Sequence, residues 1–156
     1  MITVQNMMKG SNTYAERFSV ATGETLFEEW CAEKGYQYIR LGFDTVAIPN
    51  FYQLNPFVRN LPDYLVVTDN GSRLVQVKGT FNFKEQEYRM LPEFISLYSS
   101  PDVPLYYAFC ITDKYPLLLS AEELIGVYES SGSDRQWSDG KVYRNLNLTA
   151  EWRVEE

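Results

Sequence analysis

Three polar side chains of different chemistry, a carboxylate, an amide and an ammonium, lie at short spacing around one turn signal. Asp63 precedes an apolar run, and Gln76 and Lys78 end the next run, with Asp69-Asn70-Gly71-Ser72 between the two. Asn-Gly is a strong signal for a two-residue hairpin loop, and with these two residues as the loop Asp63 is predicted opposite Lys78. The three side chains then share one face of the hairpin, since strand side chains alternate.

This arrangement suits metal-dependent hydrolysis, because carboxylate and amide oxygens bind hard cations and an ammonium stabilises developing negative charge. The alternative is a solvated hairpin face, which also carries Gln and Lys. The chain contains no histidine, which excludes zinc-hydrolase motifs and histidine triads. Any hydrolysis must therefore use carboxylates, lysine and a cation.

The sequence Pro62-Asp63, a turn and then Gln76-Val77-Lys78 resembles the PD-(D/E)XK nuclease superfamily, which includes restriction endonucleases and Holliday junction resolvases. Gln76 replaces the first acid of the second half-motif, as in QXK variants similar to Mrr-type restriction enzymes. The resemblance implies a restriction-endonuclease-like fold, an α/β three-layer α/β/α sandwich around a mixed β-sheet. It also implies a Mg²⁺- or Mn²⁺-dependent endonuclease, with DNA favoured over RNA as substrate.

The resemblance further implies a role for each residue of the motif. Asp63 anchors the divalent ion, while Gln76 and the backbone carbonyl of Val77 supply neutral oxygen ligands. Lys78 orients the attacking water or stabilises the charge of the transition state. The family's initial helix contributes a glutamate, which here corresponds to Glu24.

Residues 13–34 have the periodicity of an amphipathic helix that ends at Gly35. Glu24 is predicted to border its apolar face, where a carboxylate needs a cation or another partner. A surface glutamate paired with Arg17 or Lys34 is the alternative. The predicted apolar face consists of Val20, Gly23, Phe27, Trp30 and Cys31.

Two further segments offer contacts to nucleic acid. Residues 43–60 form a long aromatic connection in which Tyr52 and Arg59 could stack on bases or bind phosphates, unless its aromatic side chains fold back on the sheet. Residues 84–98 are helical in pattern, and Lys84 and Arg89 could lie towards a phosphate backbone or simply face solvent. The predicted inner side of this segment consists of Phe83, Met90, Phe94 and Leu97.

The remaining pattern predicts a single domain over 1–156, with a core of about 13–129 and a C-terminal addition at 130–156. A buried strand is expected at 103–112 and another strand at 115–119. Ser120 and Glu123 have the spacing of a capping box that begins a helix. Short edge strands are expected at 142–148 and 151–154.

Charge and cysteine content bear on partners and location. The net charge is −7, with nine Lys or Arg against ten Asp or Glu through Met90 and five against eleven afterwards, so the acidity lies mainly outside the motif half. Cys31 and Cys110 lack metal-ligand spacing and are predicted to be buried free thiols. No signal peptide or membrane span is evident, and a soluble cytoplasmic protein is expected.

Two other functions remain open. The Gln in the motif and the acidic surface would suit a catalytically degenerate nuclease fold that acts as a binding or inhibitory module. The twelve tyrosines and nine phenylalanines would suit an assembly subunit with an aromatic surface. A homodimer or a protein partner is compatible with each reading.

Overall fold

A computed structural model describes residues 14–41, 61–111 and 116–148, with side chains of the first helix described from Gly23 onward. Three helices and eight strands lie in these residues. In chain order they are α1 (Tyr14–Lys34), β1 (Gln37–Arg40), β2 (Tyr64–Thr68), β3 (Gly71–Lys78), β4 (Asn82–Lys84), α2 (Glu85–Tyr98), β5 (Leu105–Phe109), β6 (Leu117–Ser120), α3 (Ala121–Glu129), β7 (Arg135–Gln136) and β8 (Val142–Asn145).

The main sheet has five strands in the order β1-β2-β3-β5-β6. Strand β3 runs parallel to β5, and the other neighbours are antiparallel, so the sheet is mixed. The parallel pair is connected through α2, the type of crossover that a parallel connection requires. The expected mixed α/β architecture is confirmed.

The β2–β3 hairpin turns one residue earlier than the sequence predicts. Thr68 pairs with Gly71, so the loop residues are Asp69 and Asn70. The Thr68 hydroxyl accepts a hydrogen bond from the Asn70 N–H at 3.1 Å and donates one to the Gly71 carbonyl at 3.0 Å. Gly71 has a φ of +121°, in the region that favours glycine. The threonine hydroxyl and this glycine therefore close the turn.

This turn shifts the pairing of the two strands by two residues. Leu65 pairs with Leu74, and continuation of the same register places Asp63 opposite Gln76. The prediction that Asp63 lies opposite Lys78 is wrong. Because the shift is two residues and not one, the side chains stay on the predicted face of the hairpin.

Two clusters of buried side chains lie on opposite faces of the main sheet. Alternate residues of the β5 segment divide between them, with Tyr107 and Phe109 in one cluster and Ala108 and Cys110 in the other. Helix α1 covers the second face with Phe27, Trp30 and Cys31, whereas α2 and α3 cover the first. The predicted burial of Gly23 and of both cysteine thiols is confirmed.

Two positions in α2, Leu91 and Leu97, differ from the predicted inner side. Leu91 is fully buried, whereas Leu97 is 45% exposed and does not belong to the inner side. Leu97 lies six residues after Leu91, about 240° around the helix at 3.6 residues per turn. Pro92 is accommodated within the continuous helix, and the residue that faces the sheet is its neighbour Leu91.

The C-terminal part adds a second sheet of three strands, β4-β8-β7. The capping box is confirmed, since the Glu123 N–H donates to the Ser120 hydroxyl and the Ser120 N–H donates to the Glu123 carboxylate. The sequence predicts β8, but not the short strands β4 and β7 with which β8 pairs. The strand expected at 151–154 lies outside the described residues. No helix in the described segments is long and apolar enough to span a membrane.

Candidate active site

Helix α1 approaches the end of β3 closely through two glycines. A Cβ atom built on Gly23 would lie 3.0 Å from the Cα of Gly79, which immediately follows β3. Neither residue has a side chain, so the two backbones can come into contact. This contact brings Glu24, the next residue of α1, to the end of the strand that carries Lys78.

Asp63 is held between two neighbouring segments of the sheet. Its carbonyl accepts a hydrogen bond from the Leu41 N–H at 2.9 Å, and its carboxylate Oδ2 accepts one from the Val77 N–H at 2.8 Å. The carboxylate therefore lies immediately beyond the last pair of the β2–β3 ladder. Its position depends on backbone atoms of adjacent elements and not on a flexible loop.

Burial raises the pKa of Asp63 to about 7, because removal from water disfavours the charged carboxylate. The Val77 hydrogen bond opposes this increase, as does the nearby Lys78 ammonium, while the carboxylates of Glu24 and Glu87 add to it. The predicted residues Glu24 and Lys78 are thus electrostatic neighbours of Asp63. Glu87 is a further neighbour that lies outside the sequence motif.

Strand geometry directs the Val77 carbonyl towards the side of Asp63. The N–H and C=O groups of one strand residue point to the same neighbouring strand, and the Val77 N–H already binds Asp63. Gln76 points its backbone to the opposite side and pairs with Tyr107 of β5. The Gln76 side chain is half-buried on the face that it shares with Lys78.

Glu24 forms an ion pair with Arg40 at the end of β1. The distance between Glu24 Oε2 and an Arg40 guanidinium nitrogen is 2.8 Å, and the Glu24 side chain is 23% exposed. Arg40 also lies 3.5 Å from Glu28, which accepts hydrogen bonds from the hydroxyls of Tyr64 and Tyr38. Glu24 thus has a cationic partner other than the two that the sequence suggested.

Lys78 and Glu87 form a close ion pair, with 2.6 Å between Nζ and Oε1. The second oxygen of Glu87 accepts a hydrogen bond from the Tyr107 hydroxyl at 3.2 Å. Glu87 lies four residues before the buried Leu91, so helical periodicity could have placed it towards the sheet. Only its position near the motif lysine was not evident from sequence.

The four predicted ligands, Asp63, Glu24, Gln76 and the Val77 carbonyl, supply hard oxygen atoms of the type that Mg²⁺ and Mn²⁺ bind. Their chemistry fits such an ion. Among the described residues, no group of three or more His, Cys, Asp or Glu side chains is arranged to hold a metal. Two carboxylates, an amide and a backbone carbonyl form a weaker set than three carboxylates.

Two of the four predicted nucleic-acid contacts, Lys84 and Arg89, belong to the described residues. Arg89 is an exposed residue of α2 that pairs with Glu85 at 3.2 Å. The Lys84 ammonium lies 5.9 Å from the centre of the Trp137 ring. Tyr52 and Arg59 lie outside the described residues.

A scan against protein-family models found no match to this chain, and a search of the curated proteins found none either. The functional interpretation therefore depends on the residues of the site and their geometry.

Proposed function

We propose that this protein is a metal-dependent nuclease of the PD-(D/E)XK type, which hydrolyses phosphodiester bonds of DNA in preference to RNA. The observation that carries the proposal is the grouping of Asp63, Glu24 and Lys78 at one end of the β2–β3 hairpin. A desolvated carboxylate beside a second carboxylate and a lysine is a common feature of catalytic sites. The buried clusters on both faces of a mixed sheet also support the three-layer α/β/α sandwich of restriction endonucleases.

In this proposal the charges of the site divide between holding a cation and stabilising the reaction. Asp63, once deprotonated, and Glu24 provide negative charge, and Gln76 and the Val77 carbonyl provide neutral oxygens. A bound divalent ion would supply Lewis-acid activation of water and neutralise phosphate charge. Lys78 orients the attacking water or donates hydrogen bonds to the phosphate oxygens. With one acid replaced by Gln76, we expect a requirement for roughly millimolar Mg²⁺ or Mn²⁺.

The net charge of −7 suggests weak binding to nucleic acid without a cation or a partner. Arg89 and Lys84 on or beside α2 are our candidates for phosphate contacts on the lysine side of the site. We further propose that the protein works in the cytoplasm, where the buried free thiols of Cys31 and Cys110 suit a reducing environment.

A second candidate function is a catalytically degenerate nuclease fold that acts as a binding, inhibitory or assembly module. The ion pairs of the site favour it, because Arg40 neutralises Glu24 and Glu87 neutralises Lys78 without any metal. In such a module, these pairs would replace the metal site as the structural support of this end of the sheet.

The experiment that separates the two functions is cleavage of labelled single-stranded, duplex and branched DNA and of RNA with Mg²⁺ or Mn²⁺. Asp63→Ala and Lys78→Ala should each lower the cleavage rate by about 100-fold or more. Asp139→Ala and Lys141→Ala remove the partners of an exposed pair elsewhere and should cleave like wild type. If folded wild-type protein cleaves none of the substrates and shows no calorimetric Mg²⁺ binding, the degenerate module replaces the nuclease.

A further inference from the structure

We propose that Glu87 is a positioning residue for Lys78. The Glu87 carboxylate holds the lysine ammonium in place, and the Tyr107 hydroxyl fixes that carboxylate. This inference rests on the proposed nuclease function and adds a residue that the motif does not contain. It assigns Glu87 a role through Lys78, and not as a ligand of the cation.

Three elements of the structure meet in this group. Lys78 is the last residue of β3, Glu87 lies in the first turn of α2, and Tyr107 lies in β5, which runs beside β3. One oxygen of Glu87 lies 2.6 Å from the lysine nitrogen, and the other accepts the tyrosine hydroxyl at 3.2 Å. Each oxygen of Glu87 therefore has its own partner, which restricts the rotation of the carboxylate.

The surroundings make this pair stronger than an ordinary surface ion pair. The side chains of Lys78 and Glu87 are 23% and 20% exposed, and Tyr107 is almost fully buried. The lysine nitrogen also lies 5.4 Å from the centre of the Phe83 ring. Charges attract more strongly where water is partly excluded, whereas exposed pairs contribute little.

The pair has a direct consequence for the proposed reaction. Lysine has a long flexible side chain, so a catalytic ammonium needs a partner that fixes its position. An ammonium group has three N–H donors, and the carboxylate of Glu87 takes up one of them. The other two are then available to a water molecule or to phosphate oxygens beside Asp63.

The test compares Glu87→Gln with wild type in the cleavage assay and in a calorimetric titration with Mn²⁺ alone. We expect kcat to decrease by about 100-fold, as for a misplaced catalytic group, while KM and the affinity for Mn²⁺ change by less than about two-fold. Tyr107→Phe retains the ring and loses only the hydroxyl, so it should decrease kcat in the same direction by a smaller factor. Glu93→Gln, an exposed change in the same helix, is the matched control and should cleave like wild type.

A double-mutant cycle with Lys78→Met distinguishes positioning from general structural support. If Glu87 acts through Lys78, neither Glu87→Gln nor Tyr107→Phe should lower the residual rate further in the Lys78→Met background. Equal rates for Glu87→Gln and wild type would overturn the inference, and so would additive losses or a parallel loss of Mn²⁺ affinity. These outcomes presuppose an active wild type, so the absence of any wild-type cleavage would instead refute the proposed function, and this inference with it.

Discussion

A Cβ atom added to Gly23 would lie 3.0 Å from the Cα of Gly79, so helix α1 and the end of β3 are in backbone contact. The same Cβ would lie 3.2 Å from the Gly79 nitrogen and 3.4 Å from the Lys78 carbonyl carbon. All three are backbone atoms, which cannot rotate away as the tip of a side chain can. This contact sets the distance between Glu24 and the motif strand.

Gly23→Ala should therefore destabilise the protein, although alanine is the better helix former. The higher helix preference of alanine raises the free energy of unfolding by about 1 kcal/mol. Overpacking of the new methyl group against backbone atoms lowers it by about 1–3 kcal/mol, because α1 must move outward. We expect a net loss of about 1 kcal/mol in thermal or urea unfolding. Cleavage should decrease by a larger factor than stability alone explains, because Glu24 moves with the helix.

Gly126→Ala in α3 is the matched control, since no atom other than those of its chain neighbours and its own helix backbone lies within 4 Å of the added Cβ. This variant should gain up to about 1 kcal/mol from helix preference and leave cleavage unchanged. Equal stabilisation by Gly23→Ala and Gly126→Ala would show that α1 does not lie in close contact with the end of β3.

The ion pair between Arg40 and Glu24 predicts competition with a divalent cation. A metal that uses Glu24 must displace the guanidinium or share the carboxylate with it. Arg40→Gln should therefore tighten Mn²⁺ binding by about two- to five-fold, as expected for loss of a partly exposed pair. Calorimetric titration at low salt measures this change without reference to activity.

Arg89→Gln is the control for the loss of one arginine charge. It removes the partner of a different glutamate, Glu85, on the exposed side of α2. Its Mn²⁺ affinity should equal that of wild type. Unchanged or weaker binding by Arg40→Gln would indicate that Glu24 is not a metal ligand.

Features that depend on neighbouring residues in sequence could be predicted well. The buried face of α1 follows from helical periodicity, and the Ser120 capping box follows from two residues at a fixed spacing. The hairpin was evident, but its exact loop was not. The Thr68 hydroxyl and Gly71 close the turn around Asp69 and Asn70, so the loop begins one position before the Asn-Gly loop that the sequence predicts.

Features that depend on distant residues could not be predicted. Glu87 contacts a lysine nine positions earlier and a tyrosine twenty positions later, and no local sequence pattern predicts such contacts. The short strands β4 and β7 exist through their pairing with β8 and have little strand preference of their own. Arg40, which pairs with Glu24 across sixteen positions, was missed for the same reason.

The C-terminal segment beyond α3 contributes to the core and should be needed for stability. Leu146 is buried in the cluster under α2 and α3, and Arg144 donates a hydrogen bond to the Tyr128 carbonyl at 2.9 Å. Leu146→Ala should lower the free energy of unfolding by about 2–4 kcal/mol. Leu97→Ala, at an exposed leucine, should change it by less than about 0.5 kcal/mol.

Truncation after Glu129 extends this prediction to the whole segment. The shortened chain should lose the cooperative thermal transition that wild type shows by circular dichroism. A stable, cooperatively folded truncation would mean that the segment after Glu129 is not needed for the stability of the domain.

Asp63 should make the stability of the metal-free protein decrease as pH rises. Its pKa is about 7 in the folded protein, against 3.8 for an ordinary aspartate, so the folded state holds the proton more tightly than the unfolded state. Below about pH 4 both states are protonated and burial has no charge penalty. The free-energy cost of burying this carboxylate increases as pH rises from about 4 to about 7 and is constant above that range.

Asp63→Asn keeps an acceptor for the Val77 N–H and removes the titration. The variant should match wild type near pH 4 and be more stable by about 1–3 kcal/mol at pH 8, in urea unfolding with a chelator present. Asp139→Asn, which changes an exposed carboxylate, controls for the loss of one charge and should follow wild type. Addition of Mn²⁺ should stabilise wild type at pH 8 but not Asp63→Asn, because the cation binds the ionised carboxylate. Parallel stability curves for wild type and Asp63→Asn across this range would show that Asp63 is not desolvated in the folded protein.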